Sequence, residues 1–333
     1  MIKNEPILKS HWERYRNHCI LDHAAVKKLV QSYSKDDVVN FHLLSDGCAN
    51  SNYRVDFATG EVVVLRIYLR ENESLMREVA LHESLVDKLP VPKVIYYNKQ
   101  CKSIDYPYAV LEFIDGELMR NVILSGNKLA IEECAFSAGK YLNHLRSVKF
   151  PECGFFEGND LKVRSFTHEE EYIPFVHSCL KHKNVIESLG EALVNCLYDF
   201  FDKNKDFLPD KLDANLTHAD YDPSNMIVKK INGHYEVIAI LDWEFSFSGS
   251  YLLDLGQFLR YSHKLPEAYE HHFIRGMFSE GTPLPEHWKK SAKLMDMICL
   301  LSLLYWNSKK DSPNLVADVV GLIQNTIENW STF

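Results

Sequence analysis

The chain has 333 residues, 46% of them hydrophobic and 25% charged, which is ordinary for a globular protein of one large or two modest domains. Its net charge of −9 argues against a nucleic-acid partner, and its longest apolar run, residues 297–306, is too short to span a bilayer. There is no apolar signal-peptide core and the eight cysteines are scattered, so we expect a reduced, cytoplasmic protein without a membrane partner.

The excess negative charge lies in the second part of the chain. Up to residue 115 there are 15 basic and 16 acidic residues, whereas after it there are 22 basic and 30 acidic residues. An acidic surface can attract a cationic substrate, but acidity also serves solubility. A cationic small-molecule partner is therefore one of two open interpretations.

The first part of the chain predicts a short helix followed by an antiparallel sheet. Asp22 is a suitable N-cap for a helix ending near Ser34, and residues 1–21 form an extension of unknown use. A second helix with core-facing apolar spacing lies over residues 75–89 and ends before Pro90. Alternating or continuous apolar runs predict strands over residues 38–44, 53–57, 62–68 and 108–114.

The second part predicts mainly helices. Apolar residues between 131 and 148 repeat at helical spacing. Residues 150–165 are predicted to be a loop, and residues 167–205 to be helical with an acidic run at 169–171. We prefer a solvated face to a substrate site as the interpretation of that run. The apolar residues 297–306 are interpreted as part of a buried helix.

Polar residues converge at one end of a predicted hairpin. His218, Asp220 and Asn225 lie on a loop that leads into an apolar strand, and the following strand ends on Asp242. The turn between the two strands contains Asn232-Gly233, a strong hairpin signal. Three oxygen-bearing side chains, those of residues 220, 225 and 242, should therefore emerge together.

This arrangement suits phosphoryl transfer from a nucleotide. That reaction needs a carboxylate to take the proton of the acceptor hydroxyl, and it needs ligands for Mg²⁺. Asp220 fits the base, while Asn225 and Asp242 supply the hard oxygen ligands that Mg²⁺ prefers. A polar hairpin with an Asx turn at Asp222 would explain any one of these residues, but it does not explain the set.

The pattern His-x-Asp-x-x-x-x-Asn at 218–225, followed by Ile-Leu-Asp-Trp-Glu, resembles the aminoglycoside phosphotransferase family of small-molecule kinases. Ala219 stands where that family usually has glycine. The resemblance implies a two-lobed, α+β, protein-kinase-like fold, with a catalytic loop containing His218 and Asp220. Asp254 would brace this loop, or it would cap the next helix. The implied lobes are residues 1–115, with an antiparallel sheet and a helical extension at 1–37, and the mainly helical residues 116–333.

The resemblance also implies a nucleotide site. Residues 45–52 take the place of the phosphate loop, with backbone amides near 49–51 and the Ser51 hydroxyl as candidate ligands. Arg66 stands in place of the kinase lysine, and either Glu78, where the family has it, or Glu83 would pair with it. A solvated strand arginine is the plainer alternative. The hinge backbone and apolar side chains would hold the base: Glu112, Ile114, Val64, Ile227 and Leu241.

These residues predict transfer of the γ-phosphoryl group of ATP or GTP, with Mg²⁺, to a hydroxyl of a small molecule. An aminoglycoside-like antibiotic and an amino-alcohol or sugar metabolite, such as choline or homoserine, are alternative acceptors. A non-catalytic pseudokinase usually lacks a base or metal residue, whereas Asp220, Asn225 and Asp242 are all present. A protein kinase is disfavoured because no long activation loop or Ala-Pro-Glu follows Asp242.

Overall fold

The computed structural model describes residues 6–14, 16–44, 50–69, 72–101, 103–158, 160–210, 213–279, 281 and 283–333. Its N-terminal region is an antiparallel sheet with two helices, and its C-terminal region is mainly helical. The predicted α+β fold class is therefore confirmed. Within the described ranges, no helix combines the length and the apolarity needed to cross a membrane.

The N-terminal sheet has five antiparallel strands in the order β1-β2-β3-β5-β4. The strands are β1 Val38–Leu44, β2 Ser51–Phe57, β3 Val62–Ile67, β4 Val94–Asn98 and β5 Tyr108–Glu112. Helix α1 spans His23–Val30 and helix α2 spans Asn72–Leu85. The Asp22 carboxylate accepts a hydrogen bond from the Ala25 N–H at 2.8 Å, so Asp22 is the expected N-cap, although α1 is shorter than predicted.

The two helices cover opposite faces of this sheet. Val26 of α1 packs with Tyr53 and Val55 of β2 in one apolar cluster, whereas Val79 of α2 packs with Leu111 of β5 in another. Successive strand residues point to opposite faces. Each side chain of β2 and β3 therefore faces either α1 or α2. This alternation decides which side chains of these strands can reach the cleft between the sheet and the C-terminal region.

The C-terminal region contains two small sheets, with strand orders β11-β10-β6 and β8-β7-β12-β9. Their strands are β6 Glu117–Leu118, β7 Gly154–Glu157, β8 Lys162–Ser165, β9 Asn215–Thr217, β10 Met226–Ile231, β11 His234–Ile240 and β12 Phe247–Gly249. The helices of this region are α3 Met119–Leu124, α4 Lys128–Ser147, α5 Tyr172–Lys181, α6 Lys183–Leu189, α7 Glu191–Asn204, α8 Leu252–Phe258, α9 Glu267–Met277, α10 Trp288–Trp306 and α11 Pro313–Glu328. The apolar residues 297–306 lie in α10, whose side chains are largely buried, as predicted.

The structure differs from the prediction at residues 150–165, which contain the β7–β8 hairpin instead of only a loop. A Cβ atom on Gly154 would lie 2.0 Å from the Arg164 carbonyl oxygen, so glycine is what allows the two strands to approach so closely. In the acidic run, the Glu170 carboxylate accepts hydrogen bonds from Arg164 at 2.8 and 2.9 Å. These bonds lower the pKa of Glu170 to about 2.

Helices α4 and α9 cross at glycines. A Cβ atom on Gly139 would lie 2.0 Å from the Phe273 carbonyl oxygen, and one on Gly276 would lie 2.1 Å from the Phe136 carbonyl oxygen. Helix backbones can approach this closely only where neither residue has a side chain. On its other contact surface, the Ser137 hydroxyl of α4 accepts a hydrogen bond from the Val237 N–H at 2.9 Å, so α4 also packs against the hairpin of β10 and β11.

We expect Gly139→Ala to lower the free energy of unfolding by roughly 1–3 kcal/mol, because the added methyl group overlaps the backbone of α9. Gly321→Ala is the matched control. Gly321 lies within α11 with open space around it, so this change should raise the free energy of unfolding by up to about 1 kcal/mol. Urea denaturation measures both, and equal effects of the two substitutions would contradict the described crossing.

Candidate active site

The predicted hairpin is present and holds the metal-ligand candidates at one end. Strands β10 and β11 pair in antiparallel register, and the turn residues Asn232 and Gly233 both have positive φ angles, 52° and 93°. Positive φ at both turn positions is typical of a type I′ hairpin turn. At the opposite end, the Leu241 N–H donates to the Asn225 carbonyl oxygen at 2.8 Å. This bond places Asn225 beside the residue that precedes Asp242.

Asp220 and Asn225 are in direct contact. The Asn225 side-chain nitrogen donates to the Asp220 Oδ2 atom at 2.7 Å and to the Asp220 carbonyl oxygen at 2.9 Å. Both bonds use the nitrogen of the amide, so the amide oxygen, which is the atom a metal would bind, is not engaged with Asp220. The base candidate and one metal-ligand candidate therefore share one rigid loop.

His218 positions this loop from within the core. Its ring is buried, its Nδ1 accepts the Asp220 N–H at 3.2 Å, and its Nε2 lies 2.9 Å from the Leu241 carbonyl oxygen. A carbonyl oxygen can only accept, so Nε2 carries the proton. Burial lowers the pKa of His218, which favours the neutral ring. His218 thus ties the Asp220 backbone to the strand that ends at Asp242.

A buried carboxylate braces the same loop. Asp254 accepts hydrogen bonds from the N–H groups of His218 and Ala219, each at 2.8 Å, as the bracing interpretation predicted. Burial raises the pKa of Asp254 to about 7, although the two N–H bonds lower it. Gln257, which sequence reasoning missed, donates to the Ala219 carbonyl oxygen at 2.8 Å and accepts from the Tyr221 N–H at 3.1 Å. No local sequence pattern marked Gln257.

Most of the predicted nucleotide-contact residues line a cavity of about 120 Å³ between the two parts of the chain. It lies against β3, α2, the end of β5 and the end of the β10–β11 hairpin. Of the predicted residues, Val64, Arg66, Glu78, Glu112, Ile114, Ile227, Leu241 and Asp242 line this cavity. The Glu112 N–H is bonded to the Lys93 carbonyl oxygen at 2.9 Å, so it does not offer that group to a base.

Arg66 forms the charged centre of the cavity. Its Nη2 atom lies 2.6 Å from Asp242 Oδ1, and its Nε atom lies 3.4 Å from Glu78 Oε2. Both Arg66 and Glu78 are buried, whereas the competing candidate Glu83 is exposed. Burial raises the pKa of Glu78, against the lowering effect of Arg66. The plainer alternative, a solvated strand arginine, is wrong.

Ser51 lies away from this cavity. Its hydroxyl accepts a hydrogen bond from the Cys19 N–H at 3.0 Å on the α1 side of the sheet, so the structure does not place it with the phosphate-contact residues. The neighbouring residue Asn52 lines the cavity instead, because adjacent strand residues face opposite ways. Residues 45–49 of the predicted phosphate loop lie outside the described residues.

The candidate base has a partner that sequence reasoning missed. The Lys9 ammonium contacts both Asp220 Oδ1 and Asp222 Oδ2. Burial raises the pKa of Asp220, but the charge of Lys9, the hydrogen bond from its ammonium and the electrostatic effect of His218 together bring the pKa of this carboxyl below its usual value. Lys9 is 211 residues away from Asp220, in a segment without a motif, and nothing in the sequence pointed to the contact.

The model of the phosphotransferase enzyme family APH matches residues 40–288 of the chain. The chain belongs to that family. This family is one of phosphotransferase enzymes, and it is the family that the catalytic motif predicted. The Ala219 that departs from the family pattern has φ +64°, a left-handed conformation that favours glycine.

Solved aminoglycoside phosphotransferases share the fold of this APH-family protein. A thermostable mutant of aminoglycoside phosphotransferase APH(4)-Ia, in a ternary complex with ADP and hygromycin B, has a TM-score of 0.65 and 14% identity and covers 90% of this chain and 97% of its own. The GDP complex of wild-type aminoglycoside 2'-phosphotransferase-IIIa has a TM-score of 0.67 and 14% identity, covering 91% and 97%. At these identities the likeness establishes the fold alone.

A mouse (Mus musculus) protein, acyl-CoA dehydrogenase family member 10, is 23% identical over 216 residues. The match includes 63% of this APH-family chain, which spans only 19% of the length of that relative.

We expect Ala219→Gly to raise the free energy of unfolding by about 1 kcal/mol, because glycine avoids the cost of an L side chain at positive φ. Ala317→Gly, at an exposed position within α11, is the matched control and should lower it by roughly 0.5–1 kcal/mol, since it adds backbone entropy to a helix. Denaturant midpoints measure both effects. A loss of stability in Ala219→Gly would contradict the left-handed conformation.

Proposed function

We propose that this protein transfers the γ-phosphoryl group of ATP or GTP to a hydroxyl group of a small molecule, with Asp220 as the base. In this step a bond forms between the acceptor oxygen and the γ-phosphorus, and the bond from that phosphorus to the β–γ bridging oxygen breaks. The nucleoside diphosphate leaves, and the hydroxyl proton passes to Asp220. Residues 1–115 and 116–333 would be the two lobes that enclose the reactants.

The observation that carries the proposal is the contact between Asp220 and Asn225 at the end of the hairpin that leads to Asp242. A loose phosphoryl-transfer transition state is stabilised mainly by positioning and by electrostatics. Because the pKa of Asp220 is lowered, its carboxylate is ionised at neutral pH and can orient and then accept the hydroxyl proton. His218 and Asp254 act through the loop backbone and touch no reactant.

The donor set fits Mg²⁺. Asn225 offers an amide oxygen, and Asp242, whose side chain is 26% exposed, offers a carboxylate, a pairing that suits a cation which usually keeps phosphate and water ligands as well. When bound, Mg²⁺ would supply positive charge that neutralises the negative charge on the phosphates. Asn225 and Asp242 would hold it.

Arg66 would bind the phosphates once the nucleotide has entered. At about 120 Å³ the cavity is smaller than the roughly 300–1,000 Å³ common for ligand sites, and the Arg66–Asp242 ion pair lies across it. Nucleotide binding therefore requires this pair to separate, which leaves Asp242 to the metal and Arg66 to the phosphate oxygens. Glu78 would keep the guanidinium in place, and Val64, Ile114, Ile227 and Leu241 would pack against the base.

Two kinds of acceptor are candidates. An aminoglycoside-like antibiotic is suggested by the solved neighbours of the same fold, one of which was crystallised with hygromycin B. An amino-alcohol or sugar metabolite, of the choline or homoserine type, suits the same site chemistry. We also propose a cytoplasmic location, because the eight cysteines are scattered along the sequence.

A nucleotide-consumption assay over amino alcohols, sugars and antibiotics, run with ATP and with GTP, tests the proposal. Acceptor-dependent consumption with one of these hydroxyl compounds supports it. Tight nucleotide binding with no consumption for any acceptor would instead favour the alternative of a non-catalytic nucleotide-binding module.

We expect Asp220→Asn to lower kcat by roughly 10²- to 10⁴-fold, because the amide cannot take the proton, while nucleotide affinity changes little. Asp199→Asn, at an exposed position on α7, is the matched control and should leave kcat unchanged. Steady-state kinetics and calorimetry with a non-hydrolysable nucleotide give the two quantities. Turnover at the wild-type rate in Asp220→Asn would exclude Asp220 as the base.

A further inference from the structure

The segment that carries Lys9 is tied to the C-terminal region. We call residues 6–14 and 16–21 the N-terminal strap. The Glu13 carboxylate accepts hydrogen bonds from the Asn314 and Leu315 N–H groups at 2.9 and 3.1 Å, at the start of α11. The indole N–H of Trp12 donates to Asp318 at 2.8 Å. A carboxylate at a helix N-terminus is a favourable contact, so the strap is held next to the active site.

The other end of the strap is tied to the N-terminal sheet. Arg14 donates to the Asn50 carbonyl oxygen at 2.6 Å, within the predicted phosphate loop. The Leu21 N–H donates to the Tyr53 hydroxyl at 3.0 Å. The strap therefore crosses the cleft between the two parts of the chain, and Lys9 lies where it passes the candidate base.

The backbone at Lys9 is held in an unfavourable conformation. Leu8 and Lys9 have φ angles of 55° and 58°, both in the left-handed region although neither is glycine. Such conformations persist only where the surroundings determine them, and they cluster at functional sites. Ile7 and Leu8 are buried in the core of the C-terminal region. This packing thus places the Lys9 side chain against the carboxylates of Asp220 and Asp222.

The Lys9 ammonium occupies a preformed cation-binding site. The Lys9 side chain is 9% exposed and that of Asp222 is 5% exposed, and the ammonium contacts the carboxylates of both Asp220 and Asp222. The second oxygen of Asp222 accepts the Ser224 N–H at 2.7 Å, which fixes the carboxylate in place. A cationic acceptor would need this position if its charge lay close to the reacting hydroxyl.

We propose that Lys9 is a specificity-determining residue that occupies the cation position beside the base, so that the acceptor is an uncharged polyhydroxyl compound such as a sugar. This proposal rests on the proposed function and narrows its acceptor class. A cationic group of an acceptor cannot bind beside the base, because the Lys9 ammonium already occupies that position. An anion meets two carboxylates and one ammonium, a net negative charge, in a region with 22 basic and 30 acidic residues. An uncharged acceptor meets neither obstacle.

A binding experiment that needs no turnover tests the cation position. Lys9→Ala removes the propylammonium end of the side chain and leaves two adjacent carboxylates, so ethylammonium should bind there about tenfold or more tightly than to the wild type. The readout is the rise in melting temperature with ethylammonium chloride, relative to the same concentration of sodium chloride. We expect a concentration-dependent rise for Lys9→Ala and none for the wild type.

Lys27→Ala is the matched control. Lys27 forms a 2.7 Å ion pair with the single carboxylate of Asp37 at the surface, so its removal should create no ethylammonium site. Lys9→Ala leaves the carboxylates of Asp220 and Asp222 close together without a cation. If their repulsion keeps this variant from folding, the double variant Lys9→Ala with Asp222→Asn removes that repulsion. This double variant should fold and show at most a weak response to ethylammonium, whereas Lys9→Arg keeps a cation and should show none.

The acceptor class is tested with glucose and glucosamine, which differ by a hydroxyl and an ammonium group. For the wild type we expect a higher kcat/KM for glucose, and for Lys9→Ala we expect the ratio to move towards glucosamine by about tenfold. If neither sugar is a substrate, the same comparison is made with their binding constants in the presence of a non-hydrolysable nucleotide.

Three results would overturn the proposal. These are equal ethylammonium binding by the wild type and Lys9→Ala, a glucose-to-glucosamine ratio that Lys9→Ala does not change, and a uniform rise in kcat for every acceptor in Lys9→Ala. A uniform rise in kcat would indicate that the N-terminal strap inhibits the enzyme by blocking the active site. If no acceptor supports nucleotide consumption but ethylammonium binds only to Lys9→Ala, the kinase proposal fails while the cation position stands, so the two failures are distinguishable.

Discussion

The active site depends on one buried carboxylate that accepts two backbone N–H groups. Asp254 holds the N–H groups of His218 and Ala219, and this bracing keeps Ala219 in its left-handed conformation. A charge buried this deeply is costly unless hydrogen bonds satisfy it. Because α8 supplies both Asp254 and Gln257, the shape of the catalytic loop is set by a buried helix. The loop in turn fixes the position of Asp220, and His218 links the loop to the strand that ends at Asp242.

The second organising feature is the way cations from distant segments face the carboxylates of the site. Arg66 on β3 pairs with Asp242 and Glu78, and Lys9 on the N-terminal strap pairs with Asp220. Both cations are buried, so each depends on its partners for its charge to be tolerated. The two ion pairs have different consequences for binding. In the proposed function the Arg66 pair separates when a nucleotide enters, whereas the Lys9 pair is proposed to select the acceptor.

Features encoded by local sequence could be predicted. The hairpin followed from Asn232-Gly233, and the order of His218, Asp220, Asn225 and Asp242 was enough to predict the family. Features that depend on packing could not. Which of Ser51 and Asn52 faces the cleft is decided by strand parity, and the predicted strand began at residue 53, so neither was assigned a face. The Lys9 contact joins segments 211 residues apart, and no local pattern encodes such a contact.

We propose that Asn225 and Asp242 hold the metal that serves the nucleotide. Electron paramagnetic resonance of Mn²⁺, titrated with a non-hydrolysable nucleotide present, tests it directly. We predict that Asn225→Ala and Asp242→Asn each weaken Mn²⁺ affinity by about tenfold or more, since each removes one ligand. Asp115→Asn, at an exposed carboxylate paired with Lys229, should leave the affinity unchanged. Wild-type Mn²⁺ affinity in both ligand variants would contradict the account.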